Sequence, residues 1–158
     1  MADLVTTYTL TAPGGTIIFN NGTLGDDTDK FWLHEVDGLD GPIVRAPIDP
    51  RPFTSGNIIH TFRKSGREPV LSGVLLVESV ALNSSACQTA LNVMENNLRV
   101  AVESCIAADA TLAWTPSGQA ARSLTVRHHG RPQLEIKPIE NYHLRSFVFG
   151  LVSAAADW

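Results

Sequence analysis

The chain has 158 residues, of which 44% are hydrophobic and 18% charged, and its formal net charge is −4. That is long enough for one domain with a proper core and too apolar for disorder. The acidic balance speaks against tight, static binding to nucleic acid, no apolar run reaches the roughly 20 residues of a membrane span, and MADLVTTYTL shows no basic region followed by an apolar block, so no secretion signal is expected.

Residues 4–12 (LVTTYTLTA) are rich in Thr, Val and Tyr and predict a strand. Pro13-Gly14-Gly15 turns the chain, and 16–19 (TIIF) begin a second strand. Asn20-Asn21-Gly22 and Gly25-Asp26-Asp27 mark turns around Leu24, before 30–36 (KFWLHEV) return to strand. A turn-dense stretch, 37–42, and a short extended piece, 43–46, follow. Pro47, Pro50 and Pro52 then make 46–56 a long excursion, neither helix nor central strand. Such a loop in a small domain usually touches something.

Residues 57–63 (NIIHTFR) and 68–79 (EPVLSGVLLVES) flank Lys64-Ser65-Gly66-Arg67, which predicts a hairpin. In the second arm Leu71, Leu75 and Val77 point one way and Val70, Val74 and Leu76 the other. Residues 84–107 are the one segment with sustained helical periodicity. Cys87, Leu91, Met94, Leu98, Val102 and Cys105 form a single stripe, with Asn92, Glu95, Asn96, Arg99 and Glu103 opposite. Ser85 and Gln88 fit a capping box. Residues 110–114 (ATLAW) read as strand. Residues 122–127 (RSLTVR) and 133–137 (QLEIK) predict a second hairpin around 128–132, and 142–154 form a last strand that sets Leu144, Val148 and Val152 against Phe147, Phe149 and Leu151.

Many strands, one amphipathic helix and no internal repeat predict a single α+β domain over 1–158. The expected architecture is an antiparallel β-sandwich or open barrel with the helix packed across it. Strands that are apolar on both faces are expected where copies of a subunit cover one another in a closed assembly.

Residues that carry chemistry are sparse. There is no phosphate-binding glycine loop, no nucleophile elbow and no C-x-x-C pair. His34, His60, His128, His129 and His143 are read as solvated or structural, since adjacent His128 and His129 would face opposite sides of a strand. Asp26, Asp27 and Asp29 lack the closing glutamate of a calcium loop and read as a solvated turn, and Asp37 and Asp40 as turn formers. Cys87 and Cys105 are 18 residues apart. On a continuous helix that is roughly 27 Å, too far for a disulfide, so both read as buried fillers in a reducing cytoplasm. No catalytic, cofactor-binding or metal-ligating residue is predicted, no cofactor is implied, and the chain is not expected to be an enzyme.

Trp32 to Arg45 (WLHEVDGLDGPIVR), the stretch to Arg63, Gly66-Arg67 leading into VLSGVLLVES, the helix, and the ending LRSFVFGLVSAAADW together carry a resemblance over nearly the whole chain. Their order and spacing resemble the N-terminal ring-forming domain of the distal tail protein family of long-tailed bacteriophages, whose tail-tube-like fold is shared with major tail tube proteins. The resemblance implies a structural virion protein assembled in the host cytoplasm, forming a hexameric ring. Such a ring joins the tail tube to the tail-tip or baseplate hub and passes tape measure protein and DNA through its lumen. A C-terminal carbohydrate-binding domain, common in that family, is not expected here. The resemblance also implies a lumen hairpin, sought within 57–79 or within 122–137, and acidic side chains facing the lumen are expected to keep DNA from sticking. Two alternatives remain open: a major tail tube subunit, which would polymerise into tubes, and a small saccharide- or peptide-binding module. The latter would be a monomer with an aromatic groove drawn from Trp32, Trp114 and Trp158.

Overall fold

A computed structural model describes residues 6–39, 44–45, 48–50, 57–59, 63–64, 66–82, 84–128, 132–139 and 144–153. The expectations placed on Asp40, His60, His129, His143, Trp158 and residues 46–47 and 51–56 of the proline-rich loop lie outside these residues.

β1 (Tyr8–Ala12) and β2 (Gly15–Phe19) form a tight hairpin across Pro13-Gly14, as their alternation and turn residues predict. β3 (Lys30–Asp37) meets β2 through one parallel pair, Phe19↔Phe31, and runs antiparallel to β8 (Val70–Leu76) with a bulge between Leu33 and Glu35. Between β3 and β8 the chain forms two short ladders of its own. β4 (Val44–Arg45) pairs β7 (Arg63–Lys64), and β5 (Ile48–Pro50) pairs β6 (Asn57–Ile59).

The helix α1 (Ser85–Ala107) follows, then β9 (Ala110–Trp114), β10 (Arg122–His128), β11 (Glu135–Pro138) and β12 (Leu144–Val152). The main sheet runs β10-β9-β1-β2-β3-β8-β12-β11. Two further pairs, Arg127↔Val152 and His128↔Leu151, join β10 to β12 and close seven strands into a barrel with β11 as an extra strand. The α+β class with one helix is as expected. The barrel is closed, however, and mixed, because β2 and β3 run parallel.

Both predicted hairpins are corrected. Residues 57–59 pair with 48–50 and 63–64 with 44–45, while β8 lies between β3 and β12. Nearness in sequence suggested pairing across Lys64-Ser65-Gly66-Arg67, but β8 is apolar on both faces and is taken by two long strands. β10 and β11 are not partners either. Both lie along one side of β12, β10 on 151–152 and β11 on 145–148.

The helix buries Cys87, Leu91, Met94, Leu98, Val102 and Cys105, the whole predicted stripe, together with Ala101. Opposite it lie the inward residues of the barrel, among them Leu10, Ile17, Leu71, Leu75, Leu112, Leu124 and Phe149. Each large apolar side chain so buried contributes roughly 1.5–3 kcal/mol of transfer free energy. Phe19, Phe31, Phe147 and Phe149 form an aromatic cluster with neighbouring centroids 5.9–6.3 Å apart. The helix cap sits one residue earlier than the sequence pattern placed it. Ser84, in extended conformation, accepts a hydrogen bond from the Cys87 amide at 3.1 Å. Gln88 instead accepts from the Arg145 guanidinium at 3.3 Å.

Candidate assembly surface

Side chains of β8 alternate between the core and the far side of the sheet, so Leu71 and Leu75 are fully buried while Val70, Val74 and Leu76 are half-buried. β12 repeats this, with Phe147, Phe149 and Leu151 inside and Leu144, Val148 and Val152 half-buried. The pairing places these outward residues in cross-strand rows. One row is Trp32, Val74, Ser146 and Lys137; the next is Glu35, Ser72, Val148 and Glu135. The face of β3-β8-β12-β11 turned away from the helix therefore mixes valine and serine at its centre and carries Trp32 and Glu35 at one margin, Lys137 and Glu135 at the other.

Both margins of this four-stranded sheet are open. Beyond Phe31, no described strand lies beside β3 on its β2 side, and none lies outside β11. Because β3 and β8, β8 and β12, and β12 and β11 are all antiparallel, β3 and β11 run in opposite directions. An edge of one kind on one copy can meet the other kind on a second copy as an antiparallel pair.

Local contacts hold the β3 margin in place. Asn20 ends β2 in the left-handed conformation (φ 58°), which Asn tolerates better than most residues. Its buried side chain accepts from the Leu33 amide at 2.7 Å and donates to the Thr6 carbonyl at 3.1 Å. Lys30, only 2% exposed, donates to Asp26, to the Thr28 carbonyl at 2.9 Å and to Glu78 at 3.1 Å. Glu78 in turn accepts from the Gly25 amide at 3.0 Å, and Asp29 accepts from the amides of Glu78 and Ser79 at 3.1 Å. The acidic trio is thus not simply a solvated turn. Asp26 and Asp29 clasp the 20–30 loop to the end of β8, a role that no local spacing in the sequence announces. Burial opposes the charge of Lys30, but its bonds to Asp26 and Glu78 prevail and raise its pKa above 10.5. Lys30 and Thr28 hold the Asp26 carboxyl well below the ordinary carboxylate range.

At the other end of β3, Gly38 (φ 76°) passes so close to the following strand that a Cβ there would lie 2.4 Å from the Glu68 carbonyl. Arg67 is buried and donates to the Leu39 carbonyl at 2.6 Å. This crossing is the root of the 38–69 insertion.

The remaining candidates do not converge. His34 is exposed on β3, and His128 is buried at the barrel seam with Nδ1 2.7 Å from the Gly150 carbonyl oxygen. Among the described residues no group of three His, Cys, Asp or Glu side chains could hold a metal ion. Both cysteines are buried on the inner stripe, and burial pushes the Cys105 thiol up, away from the reactive thiolate. Trp114 is 6% exposed and stacks on Tyr8 with ring centroids 6.2 Å apart. Beside it lies an open groove of about 370 Å³ lined by Thr6, Thr7, Thr9 and Thr115. Trp32, on the far face of the sheet, does not join it.

No protein-family model and no curated protein matches this sequence. Among solved structures, the chain is similar to the Dit protein (gp 19.1) of SPP1, described as a paradigm of the hub adsorption apparatus in phages that infect Gram-positive bacteria. The TM-score is 0.61 at 13% identity, over 94% of this chain and 50% of that one. The two share a fold, consistent with the N-terminal domain of that distal tail protein, and this chain spans half its length.

Proposed function

We propose that the chain is a structural protein of a phage tail, a distal connector whose copies close into a ring, hexameric in the family it resembles, between the tail tube and the tail-tip hub. The fold supports a tail protein of this kind. The observation that carries the ring is the pair of open, oppositely directed edges on the β3-β8-β12-β11 sheet. Joining β3 of one copy to β11 of the next is heterologous, and a heterologous contact closes into a ring when its rotation allows. The helix and the rest of the barrel occupy one side of this sheet, so the opposite face lines the hole. On that face the exposed Lys137 is paired to Glu135 at 2.7 Å, so the two charges offset each other. That leaves Glu35 and Asp37 to repel phosphates within a Debye length of about 8 Å. The tape measure protein and then the genome would pass here.

Native mass spectrometry with negative-stain microscopy of the purified protein tests this. Discrete rings with a central hole are expected. Polymerising tubes would favour a tail tube subunit, and a monomer at all concentrations would refute both, leaving a small binding module built on the Thr-lined groove beside Trp114.

A further inference from the structure

The wall of the barrel across from β8 and β12 carries an ordered set of hydroxyls. Along β10-β9-β1-β2, Leu124, Leu112, Leu10 and Ile17 point into the core, so the residues that alternate with them point out. The cross-strand pairs Thr125↔Thr111, Thr111↔Thr11 and Thr11↔Thr16 make one exposed row of threonines. The next row, two residues along, is Ser123, Ala113, Thr9 and Ile18. With strands about 4.8 Å apart, the threonine row offers a hydroxyl and a methyl at every step over roughly 14 Å.

Two hollows flank these rows. Thr9 and Ala113 also line the groove of about 370 Å³, with Thr115 and Ser117. Thr125 lines a second cleft, of about 480 Å³, with Asp109, Arg127 and Ser153. Thr7, at the rim of the first, donates to the Asn20 carbonyl at 3.2 Å, whereas no hydrogen bond among the described residues occupies the hydroxyls of either row. The rows carry no charge. That of Arg127, which follows along β10, is offset by Asp109 at 2.6 Å.

This surface lacks what other partners require. Nucleic acid needs Lys or Arg free to meet phosphates. Protein hot spots are rich in Trp, Tyr and Arg and poor in Ser and Thr, and Trp114 is buried. A neutral glycan fits it. Glycan hydroxyls pair with side-chain hydroxyls that both donate and accept, and threonine methyls meet the C–H faces of sugar rings. We infer that this face binds a neutral polysaccharide laid across β10-β9-β1-β2 along the threonine row. The row lies across the barrel from the sheet assigned to the hole, so a ring leaves it facing outward. Binding here needs no second copy, although copies closed in a ring would strengthen it by multivalency.

Electrophoresis of the full-length chain through native gels containing dextran, mannan or polygalacturonate tests this. Wild type is expected to be retarded by at least one of the neutral polymers, dextran or mannan, and not by the anionic one. Thr11→Val/Thr111→Val removes two hydroxyls and keeps the branched shape that strands favour. It should fold by circular dichroism, assemble as wild type does in native mass spectrometry, and bind at least about fivefold more weakly. Thr11→Ser/Thr111→Ser keeps the hydroxyls and should bind more tightly than the valine variant. Absence of retardation of wild type by both neutral polymers overturns the site, and so does equal retardation of the valine variant. Retardation by polygalacturonate alone assigns the face to Arg127 and anions and also overturns it. A valine variant that assembles differently marks the face as a joint between copies, which overturns it too. Retardation of a chain that stays monomeric supports the saccharide site and removes the ring.

Discussion

Lys30 Nζ lies 3.1 Å from Glu78 Oε2, which ties the first residue of β3 to the segment just beyond β8. The Lys30 side chain is 1% exposed and that of Glu78 17%. The bond therefore forms at the rim of the core, where water screens it less than at the surface.

Replacing the cation should loosen this margin of the sheet. Lys30→Met is expected to lower the free energy of unfolding by about 2 kcal/mol, because the carboxylates it leaves can still reach water. Urea denaturation reads the change. The pH window follows from the two shifts. The lysine pKa is raised, so its contribution is full below 10.5 and fades as pH rises beyond that; the Asp26 pKa is depressed, so its contribution is full above 3.8 and fades in acid. The difference between wild type and Lys30→Met should therefore be flat between those limits.

Asn20 links β1, β2 and β3 at the one parallel joint of the barrel. Asn20→Ala removes the acceptor for the buried Leu33 amide and places a Cβ-bearing residue less suited to φ 58°, and a loss of about 2–3 kcal/mol is expected. Asn20→Asp keeps the acceptor but sets an oxygen against the Thr6 carbonyl in a buried site, so at neutral pH it should cost at least as much. Thermal melts of the two variants check this, and an Asn20→Ala variant as stable as wild type would contradict the role given to the Leu33 bond.

Gly73 sits mid-strand where β3, β8 and β12 come together. A Cβ there would lie 2.2 Å from the Trp32 carbonyl oxygen and 2.8 Å from Phe147 Cζ. The backbone contact cannot be relieved by a side-chain rotation. Gly73→Ala is expected to destabilise the protein by about 2 kcal/mol or more, and to lower protection of the β3–β8 amides in hydrogen exchange.

Arg145 on β12 donates to Glu95 on the helix at 2.5 Å and to Asn92 at 2.9 Å. Burial alone would raise the Glu95 pKa, but Arg145 and Arg99 bring it below the ordinary 4.5. A depressed carboxylate contributes stability above its unfolded pKa and loses it as pH falls through the folded one. Glu95→Gln should therefore cost about 1 kcal/mol at neutral pH, and the gap to wild type should shrink steadily below pH 4.5. A gap independent of pH would assign the effect to packing.

The helix was legible because its signal is local. Leu91, Leu98 and Val102 recur at the period of one turn, and only one face of a rod can meet a core. The two-sided apolar character of β8 and β12 was legible for the same reason, since alternation is written in neighbouring residues. The capping serine was missed by one position because Ser84 and Ser85 are chemically alike and only backbone conformation tells them apart.

Beyond the turn at Pro13-Gly14, partnership between strands was not legible. Residues 57–63 look like the natural mate of 68–79, yet 57–59 pair with 48–50 and β8 goes to β3 and β12. Likewise Glu78, 48 residues from Lys30 in the chain, reaches it only once the barrel has formed. The sequence by itself determined which side chains leave water and with what period, because periodicity depends on residues a few positions apart. The tertiary structure alone decided which edges are paired, which are left open and which charges meet, because those follow from contacts between segments whose separation no local pattern encodes.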